Sequence, residues 1–382
     1  MTKTIRIGTG KYRGRNRTVL QRAVDDCAAA GGGTVVIPAG VYHLTNALHL
    51  RSGVNVVGDG RAVLRKVPSV SSPVADYLGY GHYEFTVTQP AKFAVGFGVH
   101  LTDRRAGEFY DTVATITGKR GHLCFIDRML NHDYHPRDGA RARTLFPLVA
   151  GYDVRDVTVR GLVLDGNPQE RHPLNGCRGG GVFLLGCQRV RLERLEVQHY
   201  FGDAISFQQC ADVWVTACEL HDNRGAGLHP GSGSVRYVFH GNHVARNTGC
   251  GLFYCLRTKY SRCEANVIEV NGQAGISIGE RDTHHWICDN TIHANDGPGI
   301  EFRNVLRQGG DEVVIADNRL QGNCRKRGRR EIVVVPGLRG VTISGNLING
   351  RAQLRRPVAH PVGPLAAPPD AARHLNIARL AP

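Results

Sequence analysis

The sequence predicts an all-β solenoid, in which short strands stack in parallel coils around one elongated core. Six seven-residue segments recur at steps of 23, 23, 24, 24 and 24 residues. They are GVFLLGC from 181, AISFQQC from 204, GLHPGSG from 227, GLFYCLR from 251, GISIGER from 275 and GIEFRNV from 299. A fixed period in this range, combined with strand-like alternation, is the signature of a solenoid.

Side chains alternate between two faces along each of these segments. The second position is always aliphatic and the fourth is mostly apolar, and residues two apart in a strand share a face. We therefore expect both positions to point into the core. The third position must then point outward, and its polar and aromatic mixture predicts a binding face. That column contains Phe183, Ser206, His229, Phe253, Ser277 and Glu301.

Asparagines recur at the same period in the strands that follow. One column contains Asn242, Asn266, Asn290, Asn318 and Asn346. Stacked amides can bond to one another and to the turn backbone, so this column predicts a buried ladder with a structural role. A second column contains Asn223, Asn247, Asn271, Asn295 and Asn323, which we interpret as turn residues.

The N-terminal region predicts a helix followed by short strands. Apolar residues have helical spacing from Val19 to Ala29, and a glycine run follows them. The stretch NRTVLQRAVDDCAAAGGGTVVIPAGVYHL, followed by LHLRSGVNVVGDG, resembles the opening of the pectate-lyase-like superfamily. That resemblance implies a right-handed parallel β-helix whose first coil is covered by an N-terminal capping α-helix. A solenoid needs such a cap because its terminal coil otherwise exposes apolar side chains and unpaired edges.

We predict a single β-helix domain over residues 1–350. It comprises a capping helix at 17–30, irregular insertion-rich coils at 61–150 and regular coils at 151–350, and a tail rich in proline and alanine occupies 351–382. The 61–150 stretch contains DYLGYGHYEF, HLTDRRAGEFYD and IDRMLNHDYHPRDGAR. Insertions in solenoids map to loops on one face, which is often the binding face.

Charge limits the class of partner. The chain carries a formal charge of +15 and has a pI near 9.6. Such an excess attracts polyanions. We expect an anionic oligosaccharide or polysaccharide as partner, and neither nucleic acid nor a membrane. No apolar run approaches the length of a membrane span, and the oligomeric state stays open.

Eleven cysteines, without a CxxC pair, fit neither a disulfide framework nor a zinc site. We expect buried thiols and therefore a cytoplasmic protein, or a secreted one if a leader has been removed. His284 and His285 are adjacent in a strand, so one of them points inward and the pair is a poor metal site. We predict no metal site and no cofactor, although related lyases leave calcium open.

The outward residues between 203 and 303 form one titratable patch, because stacked strands lie about 4.8 Å apart. The predicted catalytic residues are His229, Glu280, Glu301, Asp203, Arg257 and Lys259. The predicted substrate-binding residues are Arg281, Asp282, Arg303, Phe253, Gln208, Asp165 and His172. The last two come from a shorter insertion, DGNPQERHPLNGCRGG, at the rim of the outward face.

Two further resemblances concern this patch. FGDAISF, GAGLHPGSGS and LRTK together resemble the polygalacturonase pattern, in which Asp203 matches one of two aspartates and Arg257 with Lys259 matches an R-x-K. Ala204 and Ala226 replace the second aspartate and the histidine of that pattern. The segment GLHPGSGSVRYVFHGN, followed by GLFYCLR, resembles the D-P-H-D region of mannuronan carbon-5 epimerases, with histidine in place of the first aspartate.

Three functions are consistent with these residues. The first is a lyase or epimerase acting on a uronate-containing glycan: an arginine neutralises the carboxylate, and His229 or Lys259 removes the carbon-5 proton. The second is a glycoside hydrolase that uses Glu280 and Glu301, or Asp203, as its acid and base. The third is a β-helix that binds glycan without catalysis.

Overall fold

The computed structural model is a right-handed parallel β-helix, and it describes residues 3–106, 109–303, 309–326 and 330–353. Each regular coil contributes one strand to each of three parallel sheets. The predicted all-β class and the right-handed parallel β-helix are therefore confirmed. Most of the predicted tail, from residue 354 onward, lies outside the described residues.

The front sheet is the one formed by the six repeated segments and their neighbours. Its register pairs Val182 with Ile205 and then continues through the other second-position residues, as the period predicts. These residues are all at most 1% exposed, which confirms them as core. The strands are Leu48–His49, Val149–Tyr152, Val182–Leu185, Ile205–Gln208, Leu228–Gly231, Leu252–Phe253, Ile276–Ile278, Ile300–Phe302 and Ile332–Val333.

The second and third sheets complete each coil, and two long strands, Val54–Lys66 and Arg155–Asp165, bend so that they contribute to both. The other strands of the second sheet are Lys3–Arg6, Gly33–Ile37, Gln188–Glu193, Ala211–Thr216, Val235–His240, Lys259–Glu264, Thr283–Cys288, Val314–Ala316 and Thr342–Ser344. The other strands of the third are Gly40–Leu44, Glu196–Gln198, Glu219–His221, His243–Ala245, Val267–Glu269, Thr291–His293, Arg319–Gln321 and Leu347–Ile348, with an antiparallel Arg351–Ala352.

Both asparagine columns are buried ladders. In the predicted ladder, the Asn266 amide donates to Asn290 Oδ1 at 2.9 Å, and Asn290 donates to Asn318 in the same way. The column interpreted as turn residues is a second ladder of the same kind, since Asn247 Nδ2 donates to Asn271 Oδ1 at 3.1 Å. All ten asparagines are at most 2% exposed, so the amides satisfy one another and the backbone at each coil.

The predicted capping helix extends from Arg17 to Ala29. It begins at Asn16, whose side chain accepts a hydrogen bond from the Val19 amide at 3.1 Å, and it ends before three glycines with positive φ. Leu20 and Val24 are fully buried against the first coil. Short 3-10 helices occupy Gly10–Tyr12, Pro90–Lys92 and Pro136–Asp138. No helix in the described ranges has the length and apolar character needed to cross a membrane.

The long insertion folds as a separate antiparallel sheet, which we call the side sheet. Its strands are Ser71–Pro73, Glu84–Thr86, Gly98–Thr102, Thr112–Arg120, Leu123–Ile126 and Arg141–Arg143. The side sheet has its own buried apolar cluster, which includes Phe85, Leu101 and Ile116. This part of the chain is therefore a compact layer and not the irregular coils expected from its lost period.

All eleven cysteines lie among the described residues, and they are thiols, as predicted. Cys187 and Cys210 are neighbours in one column, where the Cys187 amide donates to Cys210 Sγ at 3.3 Å. Cys218 extends the first asparagine ladder, because its amide donates to Asn242 Oδ1 at 3.0 Å. Most of these thiols are therefore part of the stacked core.

Candidate functional site

We expected the outward column of the front sheet to be exposed to solvent. In the structure, protein covers much of it. Ser206 and Ser277 are fully buried, and His229 is only 6% exposed. The cover over this end of the column includes residues 166–180, which we call the crossing loop. Its Gly176 carbonyl accepts hydrogen bonds from Ser206 Oγ at 2.5 Å and from Gln208 Nε2 at 3.3 Å. These residues point away from the solenoid core, as predicted, but they face another layer of protein.

A pocket of about 580 Å³ lies where the side sheet, the crossing loop and the coils meet. We call it the interface pocket, and its volume lies within the usual range for small-molecule sites. The side sheet and the segments next to its strands contribute His100, Thr102, Asp103, Asp111 and Arg143; the crossing loop contributes Pro173, Leu174, Asn175 and Gly176; and the coils contribute Phe201, Gly202, Asp203, Arg224, Gly225, Ala226, His229, Thr248, Gly249, Cys250, Phe253 and Gln273.

A histidine and an aspartate form a buried pair on the side-sheet wall. His100 lies in the middle of the strand Gly98–Thr102, and Asp111 directly precedes the next strand. His100 Nε2 lies 2.7 Å from Asp111 Oδ2, and both residues are buried. Burial raises the pKa of Asp111, but the hydrogen bond and charge of His100 outweigh burial, and the net shift is downward. The carboxylate is therefore ionised and holds the imidazole ring in place.

Unsatisfied polar atoms are concentrated on the same wall. His100 Nδ1, Asp103 Oδ2, Asp111 Oδ1 and Arg143 Nε are buried and have no hydrogen-bond partner among the described residues. Buried polar atoms are ordinarily paired, so each such atom needs an explanation. Four on one wall of one pocket indicate a surface built to bind polar groups of a ligand or ordered water.

A second histidine–aspartate pair forms part of the opposite wall. His229 Nδ1 lies 2.5 Å from Asp203 Oδ2, and Asp203 Oδ1 accepts a hydrogen bond from the Ala226 amide. Burial lowers the pKa of His229, but the Asp203 charge and hydrogen bond outweigh it and raise the pKa to about 10. The crossing loop lies directly against this pair, because a Cβ on Gly176 would lie 1.8 Å from Asp203 Oδ2.

Cationic and aromatic side chains complete the lining of the pocket. Arg143 is half-buried, and desolvation lowers its pKa. Arg224 is exposed and lies 5.9 Å from the centre of the Phe201 ring. The Phe253 ring packs edge-on against His229, with centroids 5.2 Å apart. Guanidinium groups bind carboxylates, and aromatic rings offer an apolar face to a sugar.

The structure brings only three of the predicted site residues into this pocket: Asp203, His229 and Phe253. Arg257 lies at an exposed turn with φ of 58°, and Lys259 is the exposed first residue of a strand of the second sheet; neither lines the pocket. Glu280 pairs with its neighbour Arg281 at 3.0 Å. These four residues lie where the chain leaves the front sheet, and a coil turns its side chains away from the face at that point.

Asp282, Glu301 and Arg303 make internal contacts in place of the predicted catalytic or substrate contacts. Asp282 is fully buried and accepts hydrogen bonds from the Thr258 amide and hydroxyl at 2.8 Å, so it holds a turn. Glu301 accepts a hydrogen bond from Ser277 Oγ at 2.8 Å. Arg303 covers the Phe253 ring at 4.2 Å and donates to the Tyr254 carbonyl.

The remaining predicted substrate contacts also lie outside the pocket lining. Asp165 is buried and accepts a hydrogen bond from Arg65 Nε at 2.9 Å, which fixes the start of the crossing loop. His172 is half-buried, and desolvation lowers its pKa. Gln208 is 2% exposed and supports the crossing loop through the Gly176 carbonyl. Of the two histidines at 284 and 285, His285 points inward and stacks on Tyr254 at 4.2 Å.

Cys177, His229 and Cys255 form a cluster with metal-ligand chemistry beside the interface pocket, in a part of the chain where the sequence predicted no metal site. Their ligand atoms all lie within 4.8 Å of one another. Cys177 belongs to the crossing loop, and His229 and Cys255 belong to adjacent coils. The spacing of the cysteines along the chain did not indicate this cluster, because the fold and not a CxxC motif brings these residues together.

Sequence reasoning missed the side-sheet residues of the pocket: His100, Asp103, Asp111 and Arg143. Three of them belong to HLTDRRAGEFYD, the segment from 100 to 111 that already stood out for its histidine, aspartates and arginines. The loss of period and this composition pointed to the insertion as a binding region. Neither feature identified individual residues, because no repeat relates the side sheet to the coils.

Comparisons with known proteins agree with the fold. The family described as the right handed beta helix region matches residues 155–304. The A-module of mannuronan C-5 epimerase AlgE4 from Azotobacter vinelandii is similar with a TM-score of 0.55 and 19% identity, over 90% of this chain and 85% of that chain. PfbA, a surface adhesin of Streptococcus pneumoniae, is similar with a TM-score of 0.51 and 12% identity, over 91% and 85%. No curated protein sequence matches significantly.

Proposed function

We propose that this right-handed parallel β-helix is an enzyme that acts on a uronate-containing glycan by lyase or epimerase chemistry, in the interface pocket. The observation that carries the proposal is the side-sheet wall, where a His–Asp pair, an arginine and a second aspartate leave buried polar atoms unsatisfied. Both reactions begin with removal of the proton on carbon 5, next to the carboxylate, and therefore need a base and a positive charge.

Arg143 and Arg224 supply the positive charge. Both line the pocket, and a guanidinium paired with the uronate carboxylate withdraws charge from carbon 5 and makes its proton more acidic. The protein's formal charge of +15 favours the approach of an anionic polymer. Phe201 and Phe253 provide apolar surface for the sugar ring.

His100 is the base in this proposal. Asp111 holds Nε2 of its ring, and Nδ1 is buried and unpaired among the described residues, so Nδ1 takes the proton in this proposal once substrate entry exposes it. The other histidine of the pocket is less suited to that role. Asp203 holds His229 Nδ1. The ligand atoms of His229 also lie close to the thiols of Cys177 and Cys255, two residues that do not line the pocket.

Two observations favour the other candidate functions. Asp103, Asp111 and Asp203 all line the pocket, and a carboxylate pair is what a glycoside hydrolase uses. Similarity extends to a surface adhesin as well as to a mannuronan epimerase, which supports a protein that binds without catalysis. Hydrolysis needs a carboxyl group that stays protonated as general acid. Among the described residues, burial raises the pKa of the Asp282 carboxyl, and that group holds a turn and does not line the pocket.

A product analysis in D₂O tests the proposal. The protein is incubated with polymannuronate, polygalacturonate and a neutral glycan, and deuterium at carbon 5 is followed by NMR together with ultraviolet absorbance of unsaturated uronate. We expect carbon-5 deuterium without chain cleavage for an epimerase, and unsaturated ends for a lyase. New reducing ends without either signal indicate a hydrolase, and binding without any product indicates a non-catalytic protein. Either of the last two results overturns the proposal.

A further inference from the structure

The crossing loop places a thiol beside two ligand-type side chains of the front sheet. Cys177 of the loop, His229 of one coil and Cys255 of the next have ligand atoms within 4.8 Å of one another. The loop position is fixed independently of the cysteine, because the Gly176 carbonyl bonds to Ser206 and Gln208 and any Cβ on Gly176 would clash with the Asp203–His229 pair. The backbone of the crossing loop is therefore held close to both coils at the residue that precedes Cys177.

Two buried polar atoms at this cluster lack partners among the described residues. The first is His229 Nε2, on a side chain that is 7% exposed. The second is Gln208 Oε1, on a residue that is 2% exposed. A Cβ on Gly231 would lie 2.5 Å from Gln208 Oε1 and 3.0 Å from Cys255 Cβ, so the amide oxygen is a near neighbour of that cysteine. A buried imidazole nitrogen and a buried amide oxygen, both unpaired and next to two thiols, are a set of side-chain atoms suited to binding a cation once the imidazole loses its second proton.

We propose that Cys177, His229 and Cys255 bind a single zinc ion, which joins the crossing loop to the front sheet. Two thiolates and an imidazole are the ligands that zinc prefers, whereas calcium and magnesium require oxygen ligands. Tetrahedral zinc needs its donor atoms about 3.3–3.8 Å apart, and the three ligand atoms, which all lie within 4.8 Å of one another, reach that spacing by small side-chain rotations. Gln208 Oε1 or a water molecule completes the tetrahedron.

The surroundings match those of known zinc histidines. Asp203 accepts a hydrogen bond from His229 Nδ1, which directs Nε2 to the metal in the carboxylate–histidine–zinc arrangement. Zinc deprotonates coordinating thiols, so the two positive charges of the ion are balanced by Cys177 and Cys255. Arg303 Nη2 donates to the Cys255 carbonyl at 3.1 Å, which adds positive charge beside these thiolates.

The zinc ion would stabilise one wall of the interface pocket. Pro173 to Gly176 line the pocket and directly precede Cys177. The loop is also attached through Glu170, whose carboxylate pairs with Lys66 at 2.8 Å, through the Leu174 amide, which donates to the Phe201 carbonyl at 3.1 Å, and through the Gly176 carbonyl. A metal bond at Cys177 would hold the part of the loop that faces the ligand, independently of which glycan binds there.

Metal analysis of the full-length chain tests this proposal without a glycan substrate. The reduced protein is loaded with zinc, dialysed and analysed for metal, and a sample reconstituted with cobalt(II) is examined for thiolate-to-metal absorption. We expect one zinc ion per chain and a thiolate band in the wild type and in the control Cys250→Ser, whose buried thiol lines the pocket outside the cluster. Cys177→Ser and Cys255→Ser should lose both signals.

A further variant keeps the test informative if Cys177→Ser or Cys255→Ser folds poorly. Asp203→Asn should weaken zinc binding by about 10–100-fold, because the hydrogen bond that orients His229 is weaker. Circular dichroism of each metal-free variant checks folding. Absence of zinc in the folded wild type, unchanged zinc in Cys177→Ser, or a Cys177–Cys255 disulfide in a protein that binds no zinc when reduced would each overturn the proposal.

Discussion

The asparagine ladders and the side-sheet wall of the interface pocket both bury polar side chains, but they differ in how many of the buried polar atoms have hydrogen-bond partners. None of the ten ladder asparagines has an unsatisfied side-chain atom, since each amide has partners in its own coil and in the next. On the pocket wall, four residues within a short distance of one another each leave an atom unpaired among the described residues. The ladders therefore show polar burial with every side-chain bond made, and this wall shows polar burial with bonds left over for a ligand or water.

His100→Gln is expected to have the largest effect on activity. If His100 removes the carbon-5 proton, its loss should lower the rate of carbon-5 deuterium exchange by about 10²–10⁴-fold, the usual contribution of a general base. The measurement is NMR of the polyuronate product in D₂O. The change leaves an amide of similar size in the wall, so the unfolding temperature should shift little.

His82→Gln is the matched control for that variant. His82 also lies in the insertion and also pairs with a carboxylate, Glu84, at 3.1 Å, but its side chain is 62% exposed. Its replacement should leave exchange unchanged. Equal exchange in the wild type and in His100→Gln would remove His100 from the mechanism and would return attention to the solenoid wall.

Lys66→Met is expected to have the largest effect on stability, because it breaks a buried ion pair. Lys66 Nζ lies 2.8 Å from Glu170 Oε2, and the two side chains are 0% and 3% exposed. Removal of the cation leaves a buried carboxylate, at a cost of about 3–5 kcal/mol. Urea unfolding followed by circular dichroism measures the loss. Lys66→Met combined with Glu170→Gln should regain most of it, and equal losses in the single and double variants would contradict the ion-pair explanation.

The Lys66–Glu170 pair should also make the free energy of unfolding depend on pH in the acidic range. Desolvation raises the pKa of Glu170, but the charge and hydrogen bond of Lys66 and the hydroxyl of Ser69 outweigh it, and the pKa falls to about 2 from an ordinary value of 4.5. Because the folded-state value is the lower one, this stabilisation is present above pH 4.5 and is lost as the pH falls through 2. The stability difference between wild type and Glu170→Gln should therefore shrink over that range.

Asn290→Ala is expected to have a somewhat smaller effect on stability. Asn290 Nδ2 donates to the Cys263 and Cys288 carbonyls and to Asn318, so its removal leaves several buried groups without partners. We expect a loss of about 2–3 kcal/mol in urea unfolding. Gln321→Ala, at an exposed strand position, should change stability by less than about 0.5 kcal/mol. A similar loss in both variants would show that the ladder has no special role.

Sequence reasoning predicted the coils well and the pocket poorly, for a physical reason. From Val182 to Ile300, each front-sheet strand pairs with residues 23 or 24 positions further along the chain, as Ile205 does with Leu228, so one period predicts these contacts. The pocket depends on the side sheet meeting the front sheet, and the proposed zinc site depends on Cys177 meeting Cys255. Contacts of this kind depend on the path of one insertion and one loop, and a repeat in the sequence does not predict them.

The smallest effect is expected on the third sheet, where histidines and glutamates alternate between coils on the outer surface. His243 lies 2.7 Å from Glu219 Oε2 and 2.9 Å from Glu269 Oε1. Desolvation lowers the pKa of His243, but hydrogen bonds to Glu269 and Glu219 outweigh it, and the net shift is upward. A raised folded-state pKa means that the stabilisation is present below the ordinary value of 6.5 and is lost as the pH rises through the folded-state value.

His243→Gln should therefore cost more stability at acidic than at alkaline pH, the opposite sign to the Glu170 effect. The side chain is 34% exposed, so solvent screens the pair and the expected difference stays below about 1 kcal/mol. Urea unfolding of the wild type and the variant, at pH values below and above the titration of His243, measures this difference. The control is His240→Gln, which replaces an exposed histidine on the second sheet. A loss that is independent of pH would show that His243 stabilises the coil by packing and not by charge.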